Sequence, residues 1–409
     1  MYLNSSGFNP FLFHDDDGRK WLLNMRWDFR KGRNRFSGIV LQEYSPQQQK
    51  LVGPVKTICH GTDLGVTEGP NLFKKDGYYY LLLAEGGTGY NHAATLARSK
   101  RIDGPYEFDP DYPLLTTVNA PDHPLQKAGH GSLVQTQGGE WYLSHICARP
   151  LPGRRLCPLG RETALQKVEW TADGWLRIAG GGKLPHVRVP APDLPPHPFP
   201  EPPVTDDFDG ETFGEMFYTL RIPADESWLS LKERPGFLRL YGQESLQSWH
   251  RQSMVARHLT HYRCTVETCV EFEPEHFMQM AGLVFYYDES DYFYLRIIAT
   301  RRSANMSASS LAVRANTTNW SIRSQTLTAG RVAICRPWST WIACSFSFRK
   351  TEPIGFPSVN RWIWDNCPTS MKASSGLRGR SFGMCVQDLA GTHRHADFDY
   401  FTYRPAGDE

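Results

Sequence analysis

One carboxylate lies at the start of a strongly apolar segment. Glu68 stands in the stretch VTEGPNLF, between a β-branched pair and a Gly-Pro step, and the run YYYLLLAEGG follows soon after. Apolar surroundings disfavour the charged form of a carboxyl group and raise its pKa. A lone glutamate beside a strand is more often a solvated surface residue, so other polar residues must join Glu68 before it becomes a candidate for chemistry.

Two further polar residues occupy similar places in repeated segments. Each segment has a polar residue, an apolar pair, a glycine-containing turn and then an aromatic-rich strand, and the turns DDDG, KKDG and QGGE are hairpin signals. The polar residues are Asn9, Glu68 and His130, which are 59 and 62 residues apart. The repeated segments are residues 8–25, 67–87 and 129–146.

The repeat predicts the elements that position these residues. A period of about sixty residues, made of hairpins without a helical stretch, is typical of β-propeller blades. Equivalent positions on the inner strands of a propeller face one central channel. We therefore expect Asn9, Glu68 and His130 to face the same space from different blades. The alternative is that they are ordinary polar residues flanking the strands of another all-β domain.

The composition argues against several classes of function. The 409 residues include 45 Lys and Arg against 43 Asp and Glu, a net charge of +2, so we expect no nucleic-acid partner and no membrane partner. Nine scattered cysteines without metal-binding spacing indicate reduced thiols. No signal peptide precedes MYLNSSGFNP, so we expect a cytoplasmic location, although a segment before Met1 would leave a signal peptide open.

The chain divides into two predicted domains. A partial propeller over residues 1–186 is followed by a Pro-rich linker over 187–205 and by a β-sandwich over 206–409. Residues 301–380 do not fit the sandwich, because acidic residues nearly vanish and strand alternation is poor. This stretch is either a long, basic, loop-rich insertion or an out-of-frame coding stretch.

Long motifs occur in order along the chain. In the first region they are GTDLGVTEGPNLF, YYYLLLAEGGTGYNHAATLARS, PLQKAGHGSLVQTQGGEWYL and CPLGRETALQKVEW, and in the second LRLYGQESL, MAGLVFYYD and HADFDYFTY. Together they resemble β-xylosidases of glycoside hydrolase family 43. The resemblance implies a five-bladed β-propeller, incomplete here, followed by a concanavalin-like β-sandwich. It also implies removal of single xylose units from xylo-oligosaccharides with inversion, and cleavage of arabinofuranosides by related members.

The resemblance assigns roles to the polar residues. Glu68 matches the general acid, which must stay protonated until the glycosidic bond breaks. Asn9 falls where the family has an aspartate that tunes this acid, and an amide supplies hydrogen bonds but no charge. The family's general base lies upstream of the segment that matches YLNSSGF, so we expect this chain to be N-terminally truncated and to lack the base. Asp15, Asp16 and Asp17 are interpreted as a hairpin turn directed away from the channel.

Three more residues match sugar-site residues of the family. Arg161 in CPLGRETALQ matches an arginine that binds sugar hydroxyls, with a structural salt bridge as the alternative. Trp27 in NMRWDFR resembles a wall of the sugar site, with ordinary packing as the alternative. His130 in AGHGS matches a channel histidine that can help to hold a central Ca²⁺ through water. No cofactor is required, and this structural Ca²⁺ is the one ion that the resemblance suggests.

Departures from the family pattern leave the activity of the chain open. The main hypothesis is an exo-β-xylosidase, impaired here, that takes a xylo-oligosaccharide or an arabinoside. One alternative is an inactive sugar-binding protein that keeps Arg161 and Trp27, and another is an unstable fragment or faulty gene model. We expect no substantial xylosidase activity from the chain. A homo-oligomer is compatible with the sequence.

Overall fold

The computed structural model is an all-β protein, as the sequence predicts. The described residues contain strands, turns and bends but no helix, and therefore no helix that could cross a membrane. They form two compact units, one up to His197 and one from Pro198 onward. The structure describes Leu3, Ser5, residues 7–151, Gly153, residues 155–212, 214–299 and 379–405, and the backbone of residues 307–314, 327–328 and 343–348.

The first unit contains three antiparallel sheets that follow one another along the chain. In each sheet, strands that are consecutive in sequence pair with each other, and β9 pairs with β7 beside β8. The first sheet comprises β1 (Phe8–His14), β2 (Lys20–Trp27), β3 (Phe36–Ser45) and β4 (Lys50–Cys59). The second comprises β5 (Glu68–Lys75), β6 (Tyr78–Glu85), β7 (Ala93–Ser99), β8 (Glu107–Phe108) and β9 (Leu115–Thr116). The third comprises β10 (Gln126–Gln135), β11 (Trp141–Ala148), β12 (Glu162–Trp170) and β13 (Leu176–Ile178).

The middle sheet is covered on both faces by its neighbours. Alternate side chains of a strand point to opposite faces, and β6 is apolar at nearly every position. Leu81 and Leu83 lie in a core with Met25 of the first sheet, whereas Leu82 lies in a core with Leu143 of the third. Burying each such leucine contributes about 1.5–3 kcal/mol to folding. The run YYYLLLAE thus packs the middle sheet against both of its neighbours.

A β-bulge lies near the start of the first strand of each sheet. The pairing register shifts there in β1, β5 and β10. The bulge contains a residue with positive φ in every case, 56° at Asn9, 58° at Gly69 and 49° at His130. Glycine, asparagine and histidine tolerate this left-handed conformation better than most residues. Glu68 therefore stands one residue before the position shared by Asn9 and His130, which differs from the predicted alignment.

The second unit is built from two further sheets. One has the order β16-β17-β26-β19-β24, with β14 paired to β26, and the other has the order β15-β18-β25-β20-β21-β22-β23. The strands are β14 (Thr205–Asp206), β15 (Phe217–Thr219), β16 (Leu229–Ser230), β17 (Leu238–Tyr241), β18 (Ser253–His258), β19 (Cys264–Glu271), β20 (Gln279–Tyr286), β21 (Asp291–Ile298), β22 (Ser307–Arg314), β23 (Leu327–Thr328), β24 (Ala343–Phe348), β25 (Ser381–Asp388) and β26 (His395–Pro405).

The stretch 301–380 is described only through three of these strands and through residues 379–380 at its end. β22 pairs antiparallel with β21, β23 pairs with β22, and β24 pairs parallel with β19. The other residues of the stretch lie outside the described part of the chain. The two interpretations of this stretch, an insertion or an out-of-frame segment, therefore remain predictions.

Candidate active site

Glu68 is a buried carboxylate at the first position of β5. Its side chain is only 7% exposed, and its Oε2 accepts a hydrogen bond of 3.1 Å from the Asn9 Nδ2 group. Burial raises the pKa of Glu68 because it penalises the charged form. The Asn9 hydrogen bond and the charge of Arg161 act in the opposite direction but do not cancel this effect. Glu68 is thus a carboxyl group that holds its proton to higher pH than a solvated glutamate.

The contact between Asn9 and Glu68 joins the first two sheets. Asn9 follows the first residue of β1, and its bulge conformation lets the amide reach the start of β5. An amide donor favours the charged form of the carboxyl that accepts its hydrogen bond. A second carboxylate at the same place would favour the neutral form. The structure thus brings Asn9 to Glu68 as predicted and gives it an electrostatic effect opposite to that of an aspartate.

His130 lies against the backbone beside Glu68. A Cβ atom on Gly69 would lie 2.6 Å from the His130 Nε2 atom and within 2.9 Å of two other ring atoms, so only glycine fits under this imidazole. Burial lowers the pKa of His130, and the charge of Arg161 lowers it further. The ring is therefore neutral at physiological pH. The three predicted polar residues come from three sheets and are linked through Glu68 and Gly69.

Glu85 holds the loop that leads into Glu68, and the sequence analysis missed it. It is fully buried at the end of β6. Its carboxylate accepts hydrogen bonds from the Thr62 backbone N–H at 2.7 Å, and from the Thr62 and Thr67 hydroxyl groups at 2.8 Å each. Thr67 immediately precedes Glu68. Glu85 is therefore occupied as an acceptor and fixes the approach of the chain to the candidate acid.

His92 is a second buried residue that the sequence analysis missed. It is 1% exposed, and its Nδ1–H group donates to the Lys127 carbonyl oxygen at 3.0 Å. Its Nε2 atom has no hydrogen-bond partner among the described residues. Burial lowers the pKa of His92 to about 4, so the ring is neutral. His92 thus supports the bulged part of β10 that carries His130.

Arg161 lies on the loop between β11 and β12, close enough to affect Glu68 and His130 electrostatically. This loop contacts the second sheet through Tyr90. The Arg155 guanidinium lies 3.8 Å from the centre of the Tyr90 ring, and the Cys157 sulfur lies 3.7 Å from its hydroxyl. Burial raises the pKa of Tyr90 to about 12. Tyr90 thus attaches the loop that carries Arg161.

Trp27 lies in an aromatic group at the same end of the first sheet as Asn9. Its ring is 5.7 Å from Phe8 and 5.2 Å from Phe36, measured between ring centres. Phe8 directly precedes Asn9, so the group adjoins the Asn9–Glu68 contact. Asp15 lies at the other end of β1 and accepts hydrogen bonds from Tyr79 and Lys74, as expected for a turn residue.

Comparisons with known proteins identify the family of the chain. Residues 1–176 match the model of glycosyl hydrolases family 43, and residues 205–404 match that of the β-xylosidase C-terminal concanavalin A-like domain. A xylan 1,3-β-xylosidase of Vibrio sp. is 43% identical over 425 residues, which cover 98% of this chain and 76% of the relative. The chain belongs to glycosyl hydrolase family 43. The resemblance stated from the sequence motifs is thereby confirmed.

Further relatives support the same assignment of fold and class. A xylosidase/arabinosidase 43B of Humicola insolens is 40% identical over 430 residues, covering 99% of this family 43 chain and 76% of the relative. The crystal structure of a xylan β-1,4-xylosidase from Bacillus halodurans C-125 matches with a TM-score of 0.85 and 51% identity, covering 98% and 77% of the two chains. The propeller-plus-concanavalin fold class is confirmed, and the chain is a glycosidase that acts on carbohydrate.

The described residues of this family 43 chain contain no direct ligand set for the suggested Ca²⁺. Within the described residues, no group of three or more His, Cys, Asp or Glu side chains could hold a metal ion. The calcium role of His130 stays a prediction, and no step of the reaction is derived from it.

Proposed function

We propose that this family 43 glycosidase removes terminal xylose from xylo-oligosaccharides, with Glu68 as the proton donor. The observation that carries the proposal is the buried Glu68 carboxyl group, whose pKa is raised by burial. A glycosidic oxygen leaves readily only when it is protonated as its bond to carbon breaks. A carboxyl group that keeps its proton near neutral pH supplies this proton. The names of the relatives support xylosides as the substrate class.

The proposal covers the acid side of an inverting reaction. Inversion also requires a carboxylate that activates water on the other face of the sugar, with the two carboxyl groups roughly 6.5–9.5 Å apart. Glu85, the buried carboxylate nearest in sequence, is not proposed as this base, because its oxygens already accept hydrogen bonds from Thr62 and Thr67. The proposal therefore assigns no described residue to the base and concerns proton donation alone.

Three residues are proposed to hold the sugar beside Glu68. Arg161 presents a planar set of donors for sugar hydroxyl groups. Trp27 presents an aromatic face on which the C–H groups of a pyranose ring can stack. His130 is neutral and can donate or accept one hydrogen bond. An arabinofuranoside presents similar hydroxyl groups, and one relative is named a xylosidase/arabinosidase, so arabinosides are proposed as secondary substrates.

The proposal is tested by comparing leaving groups. Purified protein is assayed with two substrates. The leaving group of xylobiose must be protonated as the glycosidic bond breaks, whereas the phenolate of an aryl xyloside leaves without protonation. Whatever turnover of xylobiose the protein shows, even if it is slow, Glu68→Gln should lower it by about 10²–10⁴-fold and affect the aryl xyloside far less. Glu107→Gln is the matched control, because Glu107 is an exposed carboxylate of the same sheet that pairs with Arg98. An equal loss on both substrates would remove Glu68 from the role of acid.

A second candidate function is sugar binding without turnover. The observation that favours it is the amide of Asn9, which promotes the charged, inactive form of the acid. Calorimetric titration with xylobiose, followed by chromatography of the sugar, separates the two functions. Binding with the disaccharide intact favours the binding protein, whereas release of xylose that depends on Glu68 favours the enzyme.

A further inference from the structure

The hairpin between β2 and β3 is an exposed, strongly basic loop. The Asp28 backbone N–H donates to the Arg35 carbonyl at 2.9 Å and closes the loop, while a turn bond joins the Arg33 N–H to the Arg30 carbonyl at 3.2 Å. Residues 29–35 are all exposed. The sequence DFRKGRNR places four cations and one carboxylate in these eight positions. The loop is thus far more basic than the chain as a whole, whose net charge is +2.

Three of the four cations of the loop form no ion pair within the described part of the protein. Arg30 is paired with Asp28 at 2.6 Å and is therefore neutralised locally. Lys31 and Arg33 form no ion pair with a described residue, and Arg35 lies 5.9 Å from the centre of the Trp27 ring. Three positive charges are thus available to a ligand that reaches Trp27.

An aromatic strip connects this loop with the candidate acid. Phe29 is 84% exposed and its ring lies 6.3 Å from that of Trp27. Trp27 in turn contacts Phe8, which is 36% exposed and precedes Asn9, the residue that bonds Glu68. Phe8 and Phe29 are exposed and Trp27, between them, is partly buried, so the row presents aromatic surface on which sugar rings can stack. The row begins beside the acid and ends among the cations.

We propose that residues 27–35 form a subsite for the leaving-group part of an oligosaccharide that carries a carboxylate, such as a uronic-acid substituent. The inference rests on the proposed function, because the terminal unit occupies the space at Glu68 and the rest of the sugar chain must lie outside it. Trp27 and Phe29 stack on the neutral rings, and Lys31, Arg33 and Arg35 attract the carboxylate.

The chemistry of the loop selects this ligand among sugars. A neutral xylo-oligosaccharide gains binding affinity from the aromatic faces but none from the three cations. An anion without a sugar ring gains from the cations but not from Phe29 or Trp27. Only a sugar chain with an acidic branch uses both, and the aromatic strip places that branch away from the bond that is cleaved.

The test measures binding and therefore does not depend on turnover. The ligands are a linear xylo-oligosaccharide and the same oligosaccharide with one glucuronic acid branch on an internal residue, titrated by calorimetry at low and high salt. The protein should bind the acidic ligand more tightly, with each exposed cation contributing up to about 5-fold. The preference should decrease as salt screens the charges.

Two variants make the test specific. Lys31→Gln/Arg33→Gln should lower the preference to what Arg35 alone supplies, up to about 5-fold, while leaving affinity for the neutral oligosaccharide unchanged. Lys20→Gln/Lys50→Gln removes two charges at the opposite end of the same sheet and should keep the preference. Equal affinity of the original protein for both oligosaccharides would overturn the inference and leave the proposed function intact. Free glucuronate is titrated as a third ligand, and the inference would also be overturned if it bound tightly while the oligosaccharides did not. Failure of all three ligands to bind would refute the sugar site itself.

Discussion

Replacing Asn9 by aspartate is expected to make Glu68 a weaker acid that holds its proton to higher pH. In the structure the Asn9 amide donates to Glu68 Oε2 at 3.1 Å and thereby favours the charged carboxylate. Aspartate removes this donor and places a second negative charge at the same position. Like asparagine, aspartate tolerates the positive φ of 56° found there, so the backbone should be retained.

The size of the effect follows from the contact that is lost. A hydrogen bond to a charged group contributes about 1.5–3 kcal/mol. Because about 1.36 kcal/mol corresponds to a tenfold change in proton affinity, loss of this bond increases the affinity of Glu68 for its proton about 10- to 100-fold. Repulsion between carboxylates about 4 Å apart acts in the same direction, by about 1–4 kcal/mol depending on screening. The two groups then titrate as a coupled pair.

The assay is a carbon NMR titration of protein labelled at the glutamate carboxyl carbon, with the Glu68 signal assigned by its loss in Glu68→Gln. Asn9→Gly is the matched control, since it keeps the left-handed backbone and removes only the amide. Glu68 should titrate at the lowest pH in the original protein, higher in Asn9→Gly and highest in Asn9→Asp. An unchanged titration in both variants would refute the electrostatic link between residues 9 and 68.

Three further predictions concern stability. Burial raises the pKa of Glu68 in the folded protein, so the stability that Glu68 contributes is present at acidic pH and is lost as the pH rises through that pKa. Glu68→Gln should therefore raise the melting temperature at neutral pH but not at acidic pH, which thermal unfolding measures. Gly69→Ala should destabilise the protein by about 2 kcal/mol or more in urea unfolding, since it combines a positive φ of 58° with a clash against the His130 ring. Glu85→Gln should cost about 1–3 kcal/mol because Thr62 and Thr67 lose an acceptor, whereas the exposed Glu107→Gln should be nearly neutral.

The sequence predicts the sheets well because their signals are local. Hairpin turns, an apolar β6 and a repeat of about sixty residues specify blade-like sheets without knowledge of distant contacts. The sequence does not predict correctly which residues occupy equivalent positions in the three repeats. The sequence aligns Asn9, Glu68 and His130 by polarity, whereas the bulges align Asn9, Gly69 and His130 by backbone conformation. Polarity therefore located the site but misplaced Glu68 in the repeat by one residue.

Glu85 and His92 could not be found from local patterns. Glu85 ends an apolar strand before two glycines, as a surface residue at a strand end also would. Its role depends on Thr62 and Thr67, which lie 23 and 18 residues earlier in the chain. His92 acts through the Lys127 carbonyl oxygen, 35 residues away. Contacts of this kind arise only when sheets pack, so local sequence patterns carry no signal for them.

The bulges explain why the site forms where these sheets meet. A regular strand alternates its side chains between two faces and would direct adjacent residues apart. The bulge in β5 gives Gly69 a left-handed backbone, which leaves the Glu68 side chain free to meet Asn9 while the His130 ring covers Gly69 itself. Each contact needs a positive φ at one residue, which Gly69 adopts without strain and which Asn9 and His130 tolerate better than most residues. The fully buried leucines of β6 pack on both faces and form the cores on either side of the middle sheet. The strand β6 therefore has two effects on Glu68. It provides apolar surroundings for the carboxyl group, and it pairs with β5, the strand whose bulge sets the direction of the Glu68 side chain.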